Sequence, residues 1–207
     1  MVATSSPLPI PLVNAAVEGM VDEAVLTRTF FDAGVALRRV YIAEGKANLL
    51  QRLPSYNHAA RWQPWIVLID LDQDAPCAPT ARERWLPEVE PALCFRIAVR
   101  AVESWLLADP SALAEFLRVP IAQIPPQPEA VPDPKAAMVN LARRSRRSAI
   151  VQDMTPRPGS GRSVGPAYSS RLIEFASQHW RPAVARENSD SLERLFRCLA
   201  RVTSTGE

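Results

Sequence analysis

Trp65–Asp74 reads WIVLIDLDQD: an unbroken apolar run, Ile66–Ile69, followed by Asp70, Asp72 and Asp74 at every second position. A short apolar run rich in β-branched residues fits a strand buried on both faces, as in a parallel sheet. The carboxyl ends of such strands are where open α/β sheets bind ligands. Carboxylates collected there are costly unless something uses their charge. The fold then depends on whether the flanking sequence alternates strand and helix.

It does so up to about Val119. PLVNAAVEG, from Pro11, reads as a first strand ending at Glu18-Gly19. VDEAVLTRTFFDAG follows as a helix, with acids in its first turn and Gly34 as its stop. VALRRVYIAEG is a second strand, and KANLLQRL opens a helix interrupted at Pro54. WIVLID is the third strand, TARERWL a short helix and ALCFRIAV the fourth strand. AVESWLLAD is helical and PSALAEFLR continues after Asp109-Pro110, a pairing expected of an N-cap with proline at N1. The expected fold is α/β, a mainly parallel, Rossmann-like four-stranded sheet with helices on both faces.

The composition changes after residue 119. PIAQIPPQPEAVPDP carries six prolines in fifteen residues, as in an extended connector. Beyond it KAAMVNLARRSRR, PAYSSRLIEFASQHW and DSLERLFRCLARV read as amphipathic helices, and TSTGE as a frayed tail. The organisation expected is an α/β domain at 1–119, a connector at 120–134, and a helical extension at 135–207 packed on the α/β domain.

At 207 residues, 47% hydrophobic and with a net charge of +2, the chain can build a sizeable core, and its charge neither demands nor excludes nucleic acid. Cys77, Cys94 and Cys198 are odd in number and form no CxxC, which argues against a disulfide framework or a zinc site. The N-terminal stretch lacks a basic region and is broken by Pro7, Pro9 and Pro11. No run approaches the roughly 18–20 apolar residues of a membrane helix. The expectation is a cytoplasmic protein without a membrane partner.

Asp70 and Asp72, two apart in extended chain, point the same way, and their like charges repel unless a cation sits between them. Such oxygen ligands suit Mg²⁺ or Mn²⁺. Glu18, at the end of the first strand, is placed for proton transfer or a second ion. Any one of these acids also suits a turn or helix cap. DLDQD imitates a calcium loop, but Ala75 and Ala81 stand where that loop needs glycine and glutamate. An aspartyl-nucleophile phosphatase would carry its DxD on the first strand, not the third.

The Glu-Gly of AAVEGMVDEAVL and the DxD of VLIDLDQD resemble TOPRIM, the metal-binding fold of topoisomerases, primases and OLD-type nucleases. More closely, the chain resembles a bacterial TOPRIM-like family of unknown function. EGK at Glu44–Lys46, PWIVLIDLDQDAPC, FRIAVRAVESWLLAD and the late YSSRLIEF and SLERL segments carry the likeness over nearly the whole chain. It implies a TOPRIM-like sheet, a divalent metal on Asp70 and Asp72 with Glu18 beside it, and work alongside an AAA- or ABC-type ATPase in defence against foreign DNA.

Glu103, one helical turn beyond the fourth strand, is placed to complete the acidic cluster, or to serve as a first-turn acid. Lys46 and Arg100, near strand ends, and the run Arg143, Arg144, Ser145, Arg146, Arg147 are candidates for phosphate contact; solvated surface charge is their alternative. Trp62, Trp65, Trp105 and Trp180 are expected in the core, and Tyr41, Tyr56 and Tyr168 offer no evident nucleophile. GSGRSVG, lacking a GK[ST] ending, reads as a flexible turn. The leading expectation is a metal-dependent phosphodiesterase, a nuclease using water, with Glu18, Asp70 and Asp72 catalytic and DNA favoured over RNA. The competing one is a non-catalytic module that binds metal or an ATPase as sensor or scaffold.

Overall fold

Asn14, Ala15 and Ala16 of the first strand pair in parallel with Trp65, Ile66 and Val67 of the third, which sets these two strands at the centre of the sheet. The computed structural model describes residues 12–204. β1 (Leu12–Val17), β2 (Ala36–Ile42), β3 (Trp65–Asp70) and β4 (Leu93–Ala98) form one four-stranded parallel sheet in the order β2-β1-β3-β4. The helices between them are α1 (Met20–Asp32), α2 (Lys46–Ala59) and α3 (Ala78–Trp85). The expected start of the first strand at Pro11, and the proline-broken stretch before it, lie outside the described residues.

The alternation of side chains along β3 explains its unbroken apolar sequence. Ile66 and Leu68 enter one core with Val25, Leu26 and Phe30 of α1. Trp65, Val67 and Ile69 enter a second with Leu49, Leu53 and Tyr56 of α2. Both faces of the strand are covered, so neither tolerates a polar residue until the strand ends.

Contrary to expectation, Pro54 does not interrupt α2. It lies on the exposed side of the helix, while Leu49, Leu53 and Tyr56 hold the other side on the sheet. Trp62, expected in the core, is 72% exposed and meets His58 edge-on. Three residues past the end of α2, it has no layer to enter.

After the sheet come α4 (Val102–Leu107), α5 (Pro110–Leu117), α6 (Pro134–Arg143), α7 (Ser148–Met154), α8 (Tyr168–Gln178), α9 (Pro182–Ala185) and α10 (Asp190–Ser204). Their apolar faces share one core with β1, β3 and β4, and it runs unbroken from Val13 to Val202. At its centre the Trp180 ring N–H donates to the Trp105 carbonyl, and the Trp105 ring N–H to the Ser191 hydroxyl, so both large rings are buried without stranding a donor. Asp109 caps α5 as expected: it accepts from the Ala112 amide and holds Arg181 through two guanidinium nitrogens.

The proline-rich segment is not an extended spacer. It forms 3₁₀ turns at Ile121–Gln123 and Pro128–Ala130, buries Ile124 and Pro128, and its Glu129 accepts from Ser189 and Ser191. Prolines fix φ but do not prevent packing where apolar residues alternate with them. Cys94 on β4 and Cys198 on α10, 104 residues apart, form a disulfide with Cα atoms 5.8 Å apart. That corrects the expectation of no disulfide, since parity and spacing say nothing of cysteines joined by the packing of a helix on a strand. The expected frayed tail begins inside α10, which runs to Ser204; residues 205–207 lie outside the described residues. Among the described residues no helix is long and apolar enough to cross a membrane.

Candidate functional site

From β1 the chain passes outward to β2, then returns across β1 to β3, so the connections reverse direction between β1 and β3. The crevice at such a reversal, beyond the carboxyl ends of the strands, is the usual ligand site of this architecture. Glu18 follows β1 directly and Asp70 ends β3. They meet there: the Glu18 Oε1 accepts the Asp70 amide at 2.8 Å.

Even-numbered residues of β3 face α1, so the Asp70 side chain turns to that side and is buried. Its Oδ1 accepts the Val102 amide at 2.9 Å, at the start of α4. Three helices deliver charge to it. α1 brings Asp22, whose Oδ2 accepts the Gly19 amide at 2.9 Å. α4 brings Glu103, hydrogen-bonded at 3.2 Å by the Tyr168 hydroxyl. α6 brings Lys135, its Nζ 3.9 Å from Asp70.

Asp22, Asp70 and Glu103 are all buried, and the half-exposed Lys135 is the nearest cation. Burial, then the charges of Asp22, Glu103 and Glu18, push the Asp70 carboxyl well above the usual carboxylate range. Burial, then Glu18 and Glu103, push Asp22 up to about 7. Glu18 and Glu103 are raised chiefly by burial. Lys135 is raised: partial burial works against its charge, but Glu103, Asp70, Asp72 and Asp22 outweigh it.

Two carboxylate oxygens in this cluster, Asp22 Oδ1 and Glu103 Oε2, are buried with no hydrogen-bond partner. Orphaned oxygens amid excess negative charge fit a hard divalent cation. Among the described residues no three His, Cys, Asp or Glu side chains are arranged to hold an ion between them.

Asp72 stands differently from expectation. The strand ends at Asp70, and Asp72 adopts a left-handed backbone (φ 48°) while its amide donates to the Arg100 carbonyl at 2.7 Å. The strand alternation that would set its carboxylate beside that of Asp70 is therefore lost. Its side chain is 45% exposed and pairs with Lys46, which also holds Asp74 at 2.8 Å. Asp72 still contributes negative charge to Glu18 and Glu103, so it belongs to the rim of the cluster and not to its floor.

Lys46 begins α2 and spends its charge on Asp72 and Asp74. Arg100, also left-handed (φ 63°), donates to the Asp72 carbonyl at 3.0 Å. Arg143, Arg144, Arg146 and Arg147 are exposed, but they straddle the turn between α6 and α7 and do not line one helix face. Lys135 and Arg143 stand at opposite ends of α6, about 12 Å apart along its axis at ~1.5 Å per residue. The arginine run is thus displaced from the acids. Asp22, Lys135 and Tyr168 were not among the expected site residues. Only Asp22 left a signal: Gly19-Met20-Val21-Asp22 has the spacing at which a first-turn acid reaches back to the amide before its helix.

No family model, curated protein or solved structure matches this chain.

Proposed function

We propose that the protein is a metal-dependent phosphodiester-cleaving enzyme of TOPRIM type, a nuclease. The observation that carries this reading is the buried cluster of Asp22, Asp70 and Glu103 with Glu18 above it, short of cations and holding two unpartnered oxygens at the switch point of the sheet. A TOPRIM resemblance at Glu18 and Asp70 accords with it, and so does an order of strands that sets these two acids side by side. Asp70 and Glu18 are the residues that would hold Mg²⁺ or Mn²⁺, with water in the remaining positions and the charges of Asp22 and Glu103 beneath. Bound there, the ion would supply positive charge for the non-bridging and leaving oxygens of a phosphodiester and lower the pKa of an attacking water.

The residues around it divide the remaining work. Glu18, partly exposed and with a raised pKa, is suited to hold or release a proton at the mouth of the site. Asp72 and Lys46 form its rim, where Lys46 can exchange Asp72 for a phosphate oxygen. Tyr168 is poorly suited as a nucleophile, because burial and then Glu103 raise its pKa, so water is the nucleophile. DNA is the favoured substrate, and an AAA- or ABC-type ATPase the partner that the resemblance suggests.

The deep burial of three of the four acids favours a second reading, a metal-binding scaffold or sensor that works with such an ATPase and does not cleave. A cleavage screen over single- and double-stranded DNA and RNA with Mn²⁺ separates the two. The enzyme reading expects cleavage that Asp70→Asn and Glu18→Gln abolish. Metal binding without cleavage of any form would leave the scaffold.

A further inference from the structure

β4 is an edge strand, and its open side is flanked by α3 and α10. Between them lies a cavity of about 460 Å³ whose lining includes Arg82, Arg96, Arg100 and Arg194. Two carboxylates share the wall, Glu129 and Asp190, and both act on Arg194, which leaves Arg82 and Arg96 without a carboxylate partner among the described residues. Glu129 already accepts from Ser189 and from the amide and hydroxyl of Ser191. Asp190 is held by Arg194 and Arg197. Leu71, Phe95 and Ile97 supply an apolar side.

Arg96 is the telling residue. It projects from the middle of β4, between the buried Cys94 and Ala98, yet its guanidinium donates to the carbonyls of Phe95 (2.7 Å) and Arg194 (3.4 Å) and, among the described residues, to no carboxylate. Guanidinium charges that are partly desolvated are ordinarily matched by an anion. Here burial, then Arg82, Arg201, Arg194 and Arg197, lower the Arg96 pKa to about 10. Its surroundings are thus cationic, the reverse of the acidic centre.

We infer that this arginine-walled pocket on the open edge of β4 is a phosphate-binding site distinct from the acidic centre. A phosphate offers oxygens for the forked guanidinium donors, and the apolar side accommodates the sugar or base of a nucleotide. The pocket adjoins the acidic centre along the chain, because Leu71 separates Asp70 from Asp72 and Arg100 donates to the Asp72 carbonyl. A strand phosphate and a free nucleotide present the same chemistry to it. The inference does not depend on whether the acidic centre cleaves phosphodiesters.

The test is calorimetric titration of the full chain in EDTA with inorganic phosphate, a nucleoside 5′-monophosphate and a single-stranded DNA 12-mer, repeated for Arg96→Gln, Arg82→Gln and Asp70→Asn. Binding should weaken by about tenfold or more in Arg96→Gln and severalfold in Arg82→Gln, and hold in Asp70→Asn. A binder limited to the 12-mer identifies a strand phosphate. A mononucleotide that displaces the 12-mer identifies a free nucleotide. If Arg96→Gln fails to fold, the exposed Arg82 decides the matter. No binding of any of the three probes, or binding unchanged in Arg82→Gln and in a folded Arg96→Gln, would overturn the inference.

Discussion

Between its ordinary value of 3.8 and about 7, the Asp22 carboxyl keeps a proton in the folded chain that the unfolded chain has released. The folded state then binds more protons, so its contribution to stability falls as pH rises through that window and stays low above it. Asp22→Asn removes that charge. In EDTA at about pH 8 the variant should be more stable than the wild type by on the order of a few kcal/mol, the gap closing towards about pH 4. Urea denaturation across that range checks this; parallel pH profiles for the two proteins would refute it. Asp22 was hard to read in the sequence because an acid in the first turn of a helix is ordinary there. Asp72 was over-read for the opposite reason. DLD has strand alternation, but a left-handed φ at Asp72, which the sequence does not announce, turns the chain after Asp70.

Among the elements, β3 and its neighbours were legible because burial on both faces forces an unbroken apolar run, and short helices between strands leave caps and stops. Asp109-Pro110 is such a signal, and the structure adds what spacing cannot give: Arg181, 72 residues on, clamps the same carboxylate. Asp109 is fully buried while Arg181 is half-exposed. Asp109→Ala should therefore cost about 2–4 kcal/mol, combining a lost cap with a broken partly buried pair. Arg181→Ala, which leaves the cap, should cost less. Denaturant midpoints of the two variants decide it, and equal or reversed losses would contradict the assignment. The proline-rich connector was misread because proline density reports backbone restriction and not whether apolar side chains such as Ile124 find a core.

At the scale of the whole molecule, the sheet and the C-terminal helices share one core, and the Cys94–Cys198 bond ties β4 to α10 within it. Closing a loop of 104 residues restricts the unfolded chain by on the order of 4–5 kcal/mol, a large share of the usual stability of a domain. Reduction should lower the denaturation midpoint of the wild type and leave Cys94→Ala unaffected; an equal response would show that the bond does not form in solution. Lys135 and Tyr168 were beyond reach of the sequence for the same reason as this disulfide: they join the centre only when α6 and α8 fold back onto it. Whether Glu18, Asp22, Asp70 and Glu103 form a centre for a divalent cation is decided by calorimetric melting with and without Mn²⁺. An ion at about a hundred times its Kd stabilises by about 2.7 kcal/mol, a rise of roughly 5–10 °C for a chain of this size. That rise should appear in the wild type and be lost in a folded Asp70→Asn. No rise in the wild type, or the same rise in both proteins, would contradict such a centre.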